Sequence, residues 1–147
     1  WDDFRDTPRN NHFGAEIFAG FGFDQNTNID NGVVNVWITT KVFMPKSGSW
    51  VKAESKNAYT LNHEQRHFDI AKIIADRFRK KILSAKLTLE NYEGRLGPIY
   101  LDALREMKAL QTQYDSETRH GLDKEAQQRW NTKIDQELRV FRQTAML

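Results

Sequence analysis

The spacing of apolar side chains changes partway along the chain, and that change limits the fold more than any other feature. Between Val33 and Phe43 (VVNVWITTKVF) the apolar residues alternate. Val34, Val36, Ile38 and Val42 fall on one face, and Val33, Trp37 and Phe43 on the other, as a strand requires. Further on, Phe68, Ile70, Ala71, Ile74, Phe78 and Ile82 recur at the spacing of one helix face. Composition follows the same division. Residues 1–52 are rich in Phe, Trp, Val, Gly and Asn, and residues 60–144 in Lys, Arg, Glu, Gln, Leu and Ala. Strand formers therefore precede helix formers. The pattern predicts an α+β fold, a small antiparallel or mixed sheet followed by helices, in a single domain spanning residues 1–147.

Local signals place the elements. Ala15–Phe23 (AEIFAGFGF) reads as a strand weakened by Gly20 and Gly22. The polar run DQNTNIDNG reads as a turn, with Asn31-Gly32 as its hairpin signal. MPKSGS breaks the next strand, and Trp50-Val51 begins a short extended piece. The first helix is expected from Thr60 or Leu61 to Ser84. LTLENYEGRLG reads as a connection, with Pro98 opening a second helix. Leu101, Leu104, Met107 or Lys108, Leu110 or Gln111, and Tyr114 mark that helix, which is expected to end near Gly121. Asp123 can cap a third helix with Ala126, Trp130, Ile134, Leu138 and Phe141 on one face.

Bulk properties exclude several classes. The chain has 147 residues, 39% hydrophobic and 29% charged, which is a globular balance. No apolar run approaches the roughly 20 residues of a membrane helix. The net charge of +2 is small, and its basic residues are dispersed among acids, so nucleic acid is not an expected partner. The one dense basic run, Arg77 to Lys81, reads as a solvated helix end. The absence of cysteine excludes disulfides and thiolate-bound zinc. The chain starts at Trp1, with no signal peptide visible in it.

Chemistry concentrates in LNHEQRHFDIAK, Leu61 to Lys72. His63 and His67 lie one helical turn apart and point the same way, which suits two imidazoles on one ion. Glu64 is rotated about 100° from His63. There it can reach a water at the metal and take its proton. A catalytic zinc site commonly takes three protein ligands. His120, in YDSETRHG, is the favoured third ligand, and Glu117, three residues earlier on the expected helix, is the alternative. If Glu117 binds, His120 is left to help the transition state; if His120 binds, Glu117 supports it. Tyr114 fits the apolar face of its helix better than an oxyanion-donating role. Asp69 is either a surface carboxylate or a support for an imidazole. His12 reads as a loop histidine without a role. Set against the zinc reading is a solvent-facing helix surface with two incidental histidines.

NHEQRHFDIAK, YDSETRHG and the downstream Trp130 together resemble the bacterial family of domain of unknown function 922, which is placed among zincin-type metallopeptidases. Its members read HEQ-x-H-F-D-I-A and, later, Y-D-x-E-T-x-H-G. Trp1-Asp2-Asp3-Phe4 with Pro8, and Ser49-Trp50-Val51, are also similar to family motifs. The resemblance implies a zincin-like architecture, with the small sheet packed on the HExxH helix and two further helices behind it. It implies Zn2+ on His63, His67 and His120, with Glu64 as the catalytic base. It further implies a zinc-dependent hydrolase, a metallopeptidase acting on a peptide or protein in the periplasm or outside the cell. The alternative is a zincin-like binding module of the cell envelope that cleaves nothing. Arg66 departs from the smaller residue frequent at its position and is expected near the site mouth, where it would influence substrate choice. Val33–Phe43 is the candidate strand for holding an extended substrate.

Overall fold

Asn57 starts the element on which everything else packs. Its side chain accepts a hydrogen bond from the Thr60 amide at 2.8 Å, a helix cap that sets the start of α1 at Ala58. A computed structural model describes residues 1–144 of the chain. In it α1 runs over Ala58–Ser84, α2 over Tyr92–Thr118 and α3 over Lys124–Thr144. Before them come β1 (Ala15–Glu16), β2 (Gly20–Asp30), β3 (Val33–Phe43) and β4 (Trp50–Val51), with two short 3-10 turns at Lys46–Gly48 and Ala53–Ser55. The fold is α+β. In place of one sheet there are two antiparallel pairs, β2 with β3 and β1 with β4.

The expected Ala15–Phe23 strand is divided. Residues 17–19 leave the strand path, held there by the Ser49 hydroxyl, which accepts from the Phe18 amide at 3.0 Å. β1 then pairs with β4 through Ala15–Val51 and Glu16–Trp50. The run DQNTNID, read above as a turn, is strand. Only Asn31 and Gly32 turn, both with positive φ (48° and 79°), the combination that matches the twist of a tight hairpin. From there the register extends unbroken from Asp30–Val33 to Gly20–Phe43. The polar residues of β2 were misread because much of the hairpin projects into solvent, where no apolar alternation is needed. β3 shows the expected faces, with Val34 and Ile38 buried and Val33, Trp37 and Phe43 exposed.

α1 packs against the hairpin and against both other helices. Towards the hairpin and α2, Phe21, Ile38, Ile74, Phe78, Ile82, Leu96 and Ala103 form one core cluster. Phe78 is fully buried there, which contributes roughly 1.5–3 kcal/mol. On its other side Ile70 and Ile73 meet Tyr114, Trp130 and Ile134. α2 begins before Pro98, at Tyr92, so Pro98 is inside the helix. The reason is tertiary: Leu96 is buried in the first cluster and Tyr92 packs against it, and that burial outweighs one missing amide donor. Leu101, expected on the core face, is half exposed, and Ala103 is buried in its place. α3 begins as expected, with Asp123 accepting from the Ala126 amide at 2.9 Å. Arg77 of the basic run binds both Glu106 and Glu137, tying the three helices together. No described helix is long and apolar enough to cross a membrane.

Candidate metal centre

His63 and His67 lie on the buried face of α1, one turn apart, as their spacing requires. α2 crosses beside them and contributes Asp115. Asp115 Oδ1 lies 3.3 Å from His63 Nε2 and 3.0 Å from His67 Nε2. Their ligating atoms all fall within 4.8 Å of one another, the one such grouping among the described residues. Asp115, in YDSETRHG, stood out in the sequence beside Tyr114 but was assigned no role. The signal was present: Asp115 follows Gln111 by one turn and Tyr114 by one residue, so it leaves α2 on the side facing α1.

The outer nitrogens of both imidazoles are held in place. His63 Nδ1 lies 2.8 Å from Gln127 Oε1 and 2.9 Å from the Tyr114 hydroxyl. His67 Nδ1 is bonded to Gln111 Oε1. Amide oxygens only accept, so each Nδ1 carries the proton. In the neutral rings each Nε2 then presents a lone pair towards Asp115 Oδ1. That oxygen is buried and accepts no hydrogen bond. Three acceptors converge with no donor between them, and a buried polar atom left in this way is costly. The donor set, two imidazoles and one carboxylate with their outer sides hydrogen-bonded, is what a divalent zinc ion takes.

The electrostatics of the cluster favour positive charge between these groups. Burial pushes the Asp115 carboxyl up, but the imidazoles of His63 and His67 more than offset it and hold it below the usual carboxylate range. Burial pulls His67 down, and Asp115 and Glu64 outweigh it, so its pKa is raised. Glu64 is buried beside them. Its pKa is raised by burial, partly offset by His67 and His63. Its Oε2 accepts from the Ile17 amide at 3.0 Å, just past β1.

The other expected residues are placed as follows. His120 is half exposed, and its Nδ1 lies 3.7 Å from Asp115 Oδ1, outside the converging set. α2 ends at Thr118, and Arg119, His120 and Gly121 all have positive φ (51°, 54° and 81°). That turn breaks the helical relation assumed between Glu117 and His120. Glu117 instead accepts from Trp130 Nε1 at 2.8 Å and from Gln113 Nε2 at 2.7 Å, away from the cluster. Tyr114 is fully buried and donates to the His63 carbonyl at 3.0 Å, which is the packing role expected of it. Asp69 accepts from Arg66 and Gln65, and no imidazole bond to it is present among the described residues. Arg66 departs from its expected place. It is not at the site mouth but faces α3, bonded to Asn131 and Asp135.

A cavity of about 960 Å³ opens onto the cluster. His63, Glu64, His67, Asp115 and His120 line it, and so does His12, whose ring lies 4.1 Å from Phe13. Gly121 closes one side. Its carbonyl accepts from the Tyr59 hydroxyl at 2.6 Å, and a β-carbon there would meet the His63 ring at 3.3 Å.

Fold and site together define an α+β domain in which one helix pair presents two histidines and an aspartate able to hold a metal ion at the floor of a cavity. The chain belongs to the family described as bacterial protein of unknown function (DUF922), which it matches over residues 22–121. No curated protein and no solved structure matches it.

Proposed function

We propose that the protein is a zinc-dependent hydrolase of zincin type, a metallopeptidase, with His63, His67 and Asp115 as the metal ligands and Glu64 as the general base. The observation that carries this reading is the convergence of ligand atoms from His63, His67 and Asp115 within 4.8 Å of one another, with Asp115 Oδ1 buried and unbonded. Asp115 takes the third ligand place that the sequence assigned to His120. Bound zinc would acidify a water and polarise the carbonyl under attack.

The chain's own groups supply the rest. Glu64 follows His63 by one residue on α1 and lines the same cavity. It accepts the proton of the attacking water and returns it to the leaving amine. Its burial favours the neutral form, so its basicity is raised towards the working range. The Ile17 amide holds one of its oxygens and leaves the other for the proton. His120, half exposed on the cavity wall, offers a ring N–H to the oxyanion that develops on the substrate. A peptide or protein is the expected substrate class, carried over from the family resemblance.

The test is zinc content after reconstitution, with hydrolysis of a peptide library, for wild type and Glu64→Gln. Stoichiometric zinc in both, with turnover only in wild type, is expected. Zinc without turnover in wild type assigns the non-cleaving binding module instead. A wild-type chain that takes up no zinc removes the metal reading altogether.

A further inference from the structure

Arg66 follows two residues after Glu64 and precedes His67, yet its side chain turns to α3 and is largely buried, 13% exposed. Its guanidinium has donors only. Nε donates to Asn131 Oδ1 at 3.1 Å, and Nη1 donates to Asp69 at 3.0 Å and Asp135 at 2.7 Å. The orientation of Asn131 is therefore decided, with its oxygen towards Arg66. The same oxygen accepts from Gln127 Nε2 at 3.0 Å. Gln127 must then keep its amide nitrogen on the Asn131 side and its oxygen on His63 Nδ1. Tyr114 closes the other end. Its hydroxyl donates to the His63 backbone carbonyl and accepts from Gln127 Nε2 at 2.8 Å.

We propose that Arg66 is a positioning residue for the metal site, acting through Asn131 and Gln127 to keep the proton of His63 on Nδ1 and the ligating lone pair on Nε2. The proposal rests on the metal reading above. The two ends of a glutamine amide have nearly the same shape, so only hydrogen bonds choose between them. A reversed Gln127 would offer an N–H to His63 Nδ1, move the ring proton to Nε2 and block the ligand position. His67 needs no such relay, because Gln111 Nε2 donates to the His67 carbonyl itself at 3.2 Å and so orients its own oxygen. Support of a ligating imidazole through its second nitrogen is known to affect metal affinity about 10- to 100-fold.

The experiment compares wild type, Arg66→Met, Asn131→Leu and Asn131→Asp. The last keeps an acceptor for both Arg66 and Gln127. The His63 tautomer is read in metal-free protein from two-bond ¹⁵N–¹H correlations of ¹⁵N-histidine, and zinc affinity by competition with a chelator. Wild type and Asn131→Asp are expected to hold His63 as the Nδ1–H tautomer. Arg66→Met and Asn131→Leu are expected to show both tautomers and to bind zinc about 10-fold more weakly. A folded Asn131→Leu with the wild-type tautomer overturns the relay. So does an Asn131→Asp as impaired as Asn131→Leu, because packing rather than the acceptor would then be responsible. Failure of wild type to bind zinc would remove the metal reading, while the tautomer measurement still decides the relay.

Discussion

Asp115 Oδ1 lies 3.0 Å from His67 Nε2, although the two residues belong to different helices and the oxygen accepts no hydrogen bond. This pairing carries most of what can be tested about the site.

Asp115→Ala is expected to lower zinc affinity by more than about 100-fold, beyond the cost of losing a supporting residue. His120→Ala is expected to keep zinc and lose turnover, since its imidazole is outside the converging set. Elemental analysis after dialysis measures the zinc, and peptide hydrolysis the turnover. Loss of zinc in His120→Ala with retention in Asp115→Ala would return the third place to the histidine.

Glu117→Ala should leave the metal in place and act on stability alone. It removes the acceptor of the buried Trp130 indole, at a cost of about 1 kcal/mol. Urea denaturation reads that cost, and a drop in zinc content would contradict it.

Glu64→Gln keeps the bond from the Ile17 amide but cannot take a proton. Turnover is expected to fall by about 10²–10⁴, with zinc content and melting temperature near wild type. An unchanged rate on any substrate the wild type cleaves would exclude Glu64 as the base.

Gly121→Ala places a β-carbon 3.3 Å from the His63 ring at φ +81°. The left-handed backbone alone costs an L-residue ~1–2 kcal/mol, and the contact pushes on the His63 ring. Both urea stability and zinc affinity should fall. A variant with lower stability but wild-type affinity would show that the loop, not the ring, absorbs the strain.

Stability should respond to pH differently with and without zinc. The raised pKa of His67 means that its interactions stabilise the metal-free fold fully below the unfolded imidazole value of about 6.5. That contribution is lost as pH rises through the raised folded value. Zinc needs the unprotonated nitrogen. The zinc-induced rise in Tm should therefore grow with pH across the His67 titration, and melts with and without zinc measure it. A rise that shrinks with increasing pH would contradict zinc binding at this imidazole.

Much of the fold was legible because local chemistry dictates it. Asn31-Gly32 named the hairpin, Asp123 the start of α3, and the alternation of β3 its buried face. Where burial competes with local preference the reading failed. Pro98 marked a helix start by its own rules, but Leu96 and Tyr92 reach the core and carry α2 past it.

By itself, then, the sequence determined an α+β chain with His63, Glu64 and His67 on one helix, since helical periodicity is a property of the residues in order. Only the tertiary structure decided what meets them. The crossing of α1 and α2 brings Asp115 to the imidazoles. The left-handed turn at Arg119 and His120 ends the helix before it can carry His120 into the converging set. Packing of α3 brings Gln127, and behind it Asn131 and Arg66, to the far side of His63. Spacing along one helix specifies a direction for each side chain. The partner waiting in that direction comes from another helix, whose position depends on the packing of Ile70, Tyr114, Trp130 and Ile134 in the shared core.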